Sequence, residues 1–220
     1  MSRPERLVFV AATATAIGKT WVAAALARQL RSAGVAVAAR KPAQSFHPGS
    51  GPTDSEILAR ATDDDAGKVC LPRRSYEVAL APPMAAAALG RPAFLLADLV
   101  DELGWPDGIE VGLVEGVGGP ASPVAGDGDT AALASALRAD LVVLVGDAGL
   151  GAINAVRLSV AALPPPVVVL LNRFDAADAT HTANRAWLRD RDGLTVVTTV
   201  EALVATITVR GEAGGGDLDA

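Results

Sequence analysis

The stretch ATATAIGKT, residues 12–20, follows the apolar run Leu7–Ala11 and leads into a segment whose apolar residues recur at helical spacing. Gly-Lys-Thr between a buried strand and a helix is the second half of a P-loop, in which backbone N–H groups and the helix N-terminus point at phosphate oxygens. Lys19 would neutralise the charge of the β- and γ-phosphates, and the Thr20 hydroxyl would bind Mg²⁺. A tripeptide that only begins a helix is the alternative, but the position between strand and helix favours a phosphate site.

Strand-like and helix-like patterns alternate along the rest of the chain. Strands are predicted at residues 7–11, 35–39, 110–114, 141–145, 167–171 and 194–197, and helices at 18–33, 53–60, 92–103, 130–137, 153–163 and 179–189. The strands lack apolar and polar alternation, as expected of a parallel sheet covered on both faces. The pattern predicts a doubly wound α/β fold of the P-loop NTPase type, with a mostly parallel sheet and helices on both faces.

A length of 220 residues predicts a single domain, which we place at residues 1–209. Residues 210–220 are acidic and glycine-rich, so we predict a disordered C-terminal tail there. The glycine- and proline-rich segments 48–52 and 125–129 are predicted loops inside the domain.

Composition excludes several classes of protein. Half of the residues are hydrophobic and the net charge is −6, which excludes a disordered chain and argues against a basic nucleic-acid-binding surface. The single cysteine, Cys70, excludes a disulfide framework, and we interpret it as a buried or incidental residue. No apolar run approaches the roughly 20 residues of a membrane span. These features predict a soluble cytoplasmic protein without nucleic-acid or membrane partners.

Further polar residues stand just past predicted strands, where ligands bind in such folds. Lys41 and Ser45 follow the second strand, Glu115 ends the third and precedes the glycine-rich turn with Gly118, and Asn172 ends the strand at 167–171. A carboxylate there can hold Mg²⁺, glycines allow a ligand close to the backbone, and an amide can bind a base edge. A solvated lysine, an ordinary glycine turn and a turn asparagine are the respective alternatives.

The chain has only three lysines and three asparagines, since arginine and alanine dominate its composition. Two of each lie near the predicted site, whereas Lys68 and Asn184 do not fit this pattern. Residues 149–154 also begin a predicted helix past a strand, and the positive end of that helix could receive a carboxylate. The alternative there is a glycine-rich loop and an ordinary helix start.

Taken in order, these segments resemble the dethiobiotin synthetase family, ATP-dependent cyclo-ligases of biotin biosynthesis. The matching segments are residues 12–20 (the long P-loop), 41–45 (Lys-Pro-Val), 76–88 (an Ala- and Pro-rich stretch leading into a helix), 115–119 (Glu-Gly-Ala-Gly-Gly) and 149–154 (Leu-Gly-x-Ile-Asn). Asp54 stands where the family has an acidic metal ligand, and Asn172 resembles its adenine-side asparagine. The resemblance extends from about residue 7 to residue 189.

The resemblance implies that CO₂ joins an amine of 7,8-diaminopelargonic acid, that ATP phosphorylates the carbamate, and that the second amine closes the ring of dethiobiotin. Lys19 and Lys41 would be catalytic, and Thr20, Asp54 and Glu115 would bind Mg²⁺. The implied nucleotide-binding residues are Thr15, Ala16, Ile17, Gly18, Lys19, Thr20, Glu115 and Asn172. The implied substrate-binding residues are Thr15, Lys41, Ser45, Gly118, Gly151 and Asn154, with the helix start at residues 151–154 acting across a homodimer interface. The nucleotide preference, ATP or another triphosphate, stays open.

Four residues depart from the family pattern. Ala12 replaces the first loop glycine, so a positive φ there would strain the backbone, and Ala12→Gly is expected to raise activity or nucleotide affinity. Phe46 replaces a glycine and is expected to narrow the space beside Lys41. Pro120 and Ala155 also differ.

Three other functions share parts of the pattern. A partner-regulated switch ATPase has an early lysine in its loop, and residues 12–16 have none. A glutamine-dependent amidase-ligase needs a glutaminase domain for which 220 residues leave no room. A degenerate relative would bind nucleotide or substrate without turnover, and only phosphate release that depends on the diamine separates it from an active ligase.

Overall fold

The computed structural model describes residues 3–208, so the predicted tail at residues 210–220 lies outside the described residues. The strands are β1 (Arg6–Ala12), β2 (Val37–Arg40), β3 (Gln44–Ser45), β4 (Ser75–Tyr76), β5 (Val111–Glu115), β6 (Pro123–Ala125), β7 (Gly128–Asp129), β8 (Leu141–Asp147), β9 (Val167–Asn172) and β10 (Thr195–Val197). The helices are α1 (Lys19–Ser32), α2 (Asp54–Thr62), α3 (Ala66–Val69), α4 (Pro82–Ala88), α5 (Leu96–Asp101), α6 (Thr130–Ala136), α7 (Ala152–Ala162), α8 (Ala179–Asp190) and α9 (Val200–Thr208).

Six strands form the central sheet in the order β10-β9-β8-β1-β5-β2, and every pairing between them is parallel. Alternate residues of β1 enter two cores, with Leu7 and Phe9 on one face of the sheet and Val8 and Val10 on the other. Helices α4 to α8 contribute to the first core, and α1, α2, α3 and α9 to the second. The predicted doubly wound α/β fold is therefore confirmed.

The helix predicted at residues 92–103 is shorter in the structure, because α5 begins only at Leu96. Phe94 is buried in the core, and its carbonyl accepts from the N–H of Gly126 at 2.9 Å. The carboxylate of Asp98 accepts from the N–H of Leu95 at 2.8 Å and caps the helix there. The residues before α5 are thus held by bonds outside the helix, which apolar periodicity does not reveal.

The loop predicted at residues 125–129 is also partly wrong, since Ala125 and Gly128 pair as the ends of the antiparallel strands β6 and β7. Helix α9 was not predicted, although Val200, Leu203 and Ile207 recur at helical spacing and are buried. No helix within residues 3–208 is long and apolar enough to cross a membrane.

Candidate active site

The loop between β1 and α1 lies at the carboxyl edge of the sheet, where β1 separates β8 from β5. Gly18 caps α1 with φ 97°, and an added Cβ there would collide with the side-chain amide of Asn172. Glycine is therefore required at this position, both for the left-handed backbone and for the close approach of Asn172.

The expected strain at Ala12 is not found, because Ala12 is the last residue of β1, pairs with Val145 and is not among the residues with positive φ. Ala16 has that conformation instead, with φ 63°. The left-handed region costs an L-residue about 1–2 kcal/mol because Cβ approaches the following carbonyl oxygen. The departure from the family loop thus falls on a residue with ordinary strand geometry.

Four elements bring five charged or hydroxyl side chains together beside the loop. Helix α1 begins with Lys19 and Thr20, Lys41 follows β2, Asp54 begins α2, and Glu115 ends β5. These are the residues that the sequence predicted as catalytic or metal-binding. Because β1, β5 and β2 are neighbours in the sheet, the residues that follow them meet at its carboxyl edge although they are distant in sequence.

Lys41 forms the centre of this cluster and is 2% exposed. Its Nζ lies 2.7 Å from Oε1 of Glu115 and 2.8 Å from Oδ2 of Asp54, and it donates to the carbonyl of Gly116 at 2.8 Å. The Thr20 hydroxyl lies 2.9 Å from Asp54 Oδ1 and 2.9 Å from Glu115 Oε1. Every donor of the Lys41 ammonium therefore has an acceptor, which fixes its position.

The two lysines differ in their electrostatics. Burial opposes the charge of Lys41, but Glu115 and Asp54 outweigh it and raise the pKa of Lys41 above its usual range. Burial and the neighbouring charge of Lys41 lower the pKa of Lys19, whose Nζ is 3.8 Å from Glu115. Burial also opposes the charge of Asp54, yet Lys41 lowers its pKa to about 2. Lys19 is thus the incompletely neutralised cation, suited to receive an anionic ligand.

The donor set around Thr20 fits a magnesium ion that also binds phosphate. Oε2 of Glu115 is buried without a hydrogen-bond partner among residues 3–208, and the Thr20 oxygen lies within 2.9 Å of both carboxylates. Magnesium in nucleotide sites uses one or two carboxylates together with substrate phosphates and water. Within residues 3–208 no group of three or more His, Cys, Asp or Glu side chains is arranged for a metal, so nucleotide oxygens would have to complete the coordination.

Two cavities flank the loop. The lysine cavity, of about 490 Å³, includes Lys19, Lys41 and Asp54 in its lining together with Thr15, Ser45, Gly118 and Ser122. The tryptophan cavity, of about 670 Å³, is lined by Gly18, Trp21, Ala25, Gln29, Leu170, Asn172, Arg173, Phe174, Thr198, Thr199, Val200 and Glu201. The predicted residues Thr15, Ser45 and Gly118 therefore share one cavity with the lysines, whereas Asn172 lies in the other.

Asn172 ends β9 and is 9% exposed. Its Nδ2 donates to the carbonyl of Ile17 at 2.8 Å, so the amide is tied to the loop while Asn172 lines the tryptophan cavity. Ala16, Ile17 and Gly18, predicted to bind nucleotide, form the loop segment next to it.

Gly151 and Asn154 do not join either cavity in this single chain. Gly151 caps α7 with φ 87°, and Asn154 is exposed in a separate groove of about 630 Å³. Thr15 and Ser122 line both this groove and the lysine cavity. Leu150, just before α7, and Leu158, within α7, have exposed side chains, with relative exposures of 95% and 66%.

Four residues singled out in the sequence do not line the lysine cavity. Phe46 is not among the described residues that line the lysine cavity, so the expected narrowing beside Lys41 is not found, and its N–H donates to the carbonyl of Tyr76 at 3.0 Å. Burial raises the pKa of the Cys70 thiol to about 12, in keeping with a buried, unreactive side chain. Asn184 donates to the carbonyls of Ala148 and Gly149 and so holds the loop before α7. Lys68 is exposed on α3.

The sequence reasoning missed most of the tryptophan cavity and Ser122. The Ser122 hydroxyl accepts from the N–H of Gly119 at 2.9 Å and braces the glycine turn. One signal for the cavity was present, since Trp21, Ala25 and Gln29 follow the P-loop at four-residue intervals on one helix face. The opposite wall depends on the unpredicted helix α9.

Fold and site define a P-loop nucleotide-binding protein of the α/β class. A plasmid partition protein from Borrelia burgdorferi has the same fold, with a TM-score of 0.57 and 13% identity over 95% of this chain and all of that chain. The signal recognition particle receptor FtsY from Elizabethkingia anophelis in complex with GDP has a TM-score of 0.56 and 13% identity, covering 91% of this chain and 59% of that chain. At these identities the likeness concerns the fold alone.

Sequence comparison gives the particular family. Residues 6–208 match a family described as an AAA domain. The chain is 35% identical over 193 residues to the ATP-dependent dethiobiotin synthetase BioD of Haloferax mediterranei, covering 86% of this chain and 81% of that protein. It is 40% identical over 159 residues to the BioD of Rhodococcus jostii, covering 71% of this chain and 67% of that protein. The chain belongs to the family of ATP-dependent dethiobiotin synthetases, as its motifs predicted.

Proposed function

We propose that this chain is an ATP-dependent ligase that converts 7,8-diaminopelargonic acid and CO₂ into dethiobiotin. The observation that carries the proposal is the contact of Lys41 with Asp54 and Glu115 beside the P-loop, in one cavity with Lys19. Both reactants of the phosphoryl transfer, a carbamate and the γ-phosphate, are anions. A buried site with two ammonium groups therefore lowers the barrier to bringing them together.

The reaction divides into three steps. One amine of the diamine attacks CO₂, a C–N bond forms, and the nitrogen loses a proton to give a carbamate. A carbamate oxygen then attacks the γ-phosphorus of ATP, and ADP leaves. Finally the second amine attacks the carbamate carbon, phosphate leaves with the C–O bonding pair, and this nitrogen loses its proton as the ring closes.

In this proposal Lys19 contacts the β- and γ-phosphates and Lys41 lies between the carbamate and the phosphate. A compact ammonium fits between two anions where a planar guanidinium would not. Thr20, Asp54 and Glu115 would hold Mg²⁺, which when bound supplies further positive charge to the phosphate oxygens. The orphaned Oε2 of Glu115 supports this assignment.

Thr15, Ser45 and Gly118 would bind the diamine, because they line the lysine cavity around the two lysines. The distant carboxylate of the substrate would bind at Gly151 and Asn154 of a second copy, where the start of α7 presents its positive end. We therefore propose a homodimer, with the exposed Leu150 and Leu158 as part of the contact. Its substrates, ATP and a small diamine, are compatible with a cytoplasmic enzyme.

Asn172 would bind the base of the nucleotide. Since only one Nδ2 hydrogen is engaged by the carbonyl of Ile17, the second Nδ2 hydrogen and Oδ1 are the donor and the acceptor that would meet the edge of the base. An amide with both a donor and an acceptor does not by itself select one base. We expect ATP to be used, in keeping with the ATP-dependent relatives.

The test is phosphate release and dethiobiotin formation with diaminopelargonic acid, bicarbonate, Mg²⁺ and each of the four nucleoside triphosphates. Release that depends on the diamine and matches dethiobiotin in amount is expected. Release without the diamine would instead indicate a switch ATPase, and nucleotide binding without release would indicate a degenerate relative. Lys68→Met serves as a control that removes an exposed lysine that lines neither the lysine cavity nor the tryptophan cavity.

A further inference from the structure

Trp21 has an unusual position for a tryptophan. It lies in the first turn of α1, directly after Thr20, and its side chain is 58% exposed. Long side chains in helices lean toward the helix N-terminus, so the indole extends toward the P-loop rather than away from it. It lines the tryptophan cavity together with Gly18 and Asn172.

The cavity has the chemistry of a site for a flat, partly polar ligand. Trp21, Phe174 and Leu170 supply apolar surface, and Ala25, one helical turn after Trp21, leaves space beside the indole. Polar groups stand at its edges, namely Asn172 at one end and the Gln29–Glu201 pair, joined at 2.6 Å, at another. A nucleobase combines two apolar faces with a polar edge, which matches this arrangement.

The cavity is also continuous with the phosphate site. Gly18 belongs both to the P-loop and to the cavity lining, and Asn172 bonds to the loop at Ile17. A base bound in the cavity can therefore belong to the same molecule as phosphates bound on the loop. This continuity selects a nucleoside triphosphate as the occupant over a free aromatic molecule.

We propose that Trp21 is a specificity-determining residue of the nucleotide site, whose indole packs against the base and favours a purine over a pyrimidine. The inference rests on the proposed use of a nucleoside triphosphate, and it assigns a role that the P-loop motif does not include. A purine offers a larger face to the indole than a pyrimidine, so its affinity depends more on this contact. Asn172 would meet the edge of the base, while Trp21 selects by the area of its face.

The proposal is tested by equilibrium binding to four proteins: the unmodified chain, Trp21→Ala, Trp21→Phe and Trp187→Phe. The ligands are Mg-ATP, Mg-CTP and Mg-tripolyphosphate, the last of which has the charge of the nucleotide but no base. Trp187 is a matched control because it is also a half-exposed tryptophan, 45% exposed, but lies on α8 outside the cavity.

Trp21→Ala is expected to weaken Mg-ATP binding about 5-fold or more, since one base–aromatic contact is lost. Mg-CTP is expected to weaken less, so the ratio of the two dissociation constants moves toward one. Tripolyphosphate binding is expected to stay unchanged, Trp21→Phe to lose only part of the affinity, and Trp187→Phe to behave as the unmodified chain.

Two results would overturn the role of Trp21: unchanged ATP affinity in Trp21→Ala, or an equal loss for ATP and tripolyphosphate. The indole is more than half exposed, so both variants are expected to fold, and Trp21→Phe keeps an aromatic ring in any case. Failure of the proposed ligase activity would look different. Dethiobiotin would then not form, while the base-dependent effect of Trp21 on binding would persist.

Discussion

The lysine cavity and the tryptophan cavity share the P-loop but are held together by different forces. In the first, Lys41, Asp54 and Glu115 are joined by contacts of 2.7 and 2.8 Å, and each charge depends on the others. In the second, apolar walls surround a space, and the Gln29–Glu201 bond at its edge is exposed. We therefore expect Lys41 and its two carboxylate partners to contribute to both stability and turnover, whereas the exposed Trp21 of the tryptophan cavity can change with an effect on binding alone.

Removal of Lys41 is expected to have the largest effect and to separate the two cavities most clearly. Lys41→Met leaves the buried carboxylate of Glu115 and the partly exposed carboxylate of Asp54 without this cation, and the uncompensated buried charge costs about 3–5 kcal/mol of unfolding free energy. Turnover is expected to fall on the order of 10³-fold, as for loss of one preorganised charge. Denaturant unfolding and dethiobiotin formation measure the two effects.

The double variant Lys41→Met with Glu115→Gln isolates the stability effect, because it also removes a carboxylate. It is expected to regain part of the lost stability and none of the turnover. Lys68→Met, on the exposed face of α3, is the matched control, and its unfolding free energy is expected to stay within about 0.5 kcal/mol. A Lys41→Met protein as stable as this control would contradict the proposed charge dependence.

Lys19 is expected to behave in the opposite way in stability. Its lowered pKa means that folding disfavours its charge, so the folded state binds its proton less tightly than the unfolded chain does. Lys19→Met should therefore leave the unfolding free energy unchanged or raise it, while turnover falls about 10²-fold or more. Denaturant unfolding of Lys19→Met and Lys41→Met measures both unfolding free energies. Equal destabilisation of the two variants would contradict the predicted difference between the lysines.

The same difference predicts how nucleotide affinity changes with pH. Bound phosphates stabilise the charged form of Lys19, so affinity is expected to fall as pH rises through the lowered pKa of Lys19, at a pH below 10.5. Lys41 keeps its proton throughout this range because its pKa is raised. The dissociation constant should rise by up to about tenfold per pH unit, as linkage of one proton requires.

Lys19→Arg is the control for this pH dependence. It should remove the alkaline loss of ATP affinity because arginine stays charged. An ATP profile of the unmodified chain that is flat to pH 10.5, or a Lys19→Arg profile that keeps the alkaline loss, would show that another group controls binding.

The sequence predicted the lysine cavity far better than the tryptophan cavity, and the reason is physical. Ligands bind at the carboxyl ends of parallel strands, so position alone made Lys41 and Glu115 candidates, and the family resemblance gave them their roles. The wall at residues 198–201 depends on α9, whose packing on α1 has no local signal beyond a few apolar residues. Backbone geometry was also beyond the sequence, since alternating alanines do not reveal which one has a positive φ.

The smallest effect on the unfolding free energy is expected for alanine-to-glycine changes in and beside the loop between the two cavities. Ala16→Gly removes the strain of a left-handed alanine, which is about 1 kcal/mol, and adds a glycine entropy cost of about 0.5–1 kcal/mol. Its unfolding free energy should therefore stay the same or rise slightly. Ala12→Gly removes a buried methyl group from β1 and should lose about 1 kcal/mol.

The pair also decides the role of the missing family glycine. Thermal or denaturant unfolding of the two variants, with ATP affinity measured in parallel, is expected to place Ala16→Gly above Ala12→Gly in stability. Neither should bind ATP more than about twofold differently, because the side chains of Lys19 and Trp21 are unchanged. A gain in ATP affinity in Ala12→Gly would indicate backbone strain at residue 12 and contradict the strand geometry found there.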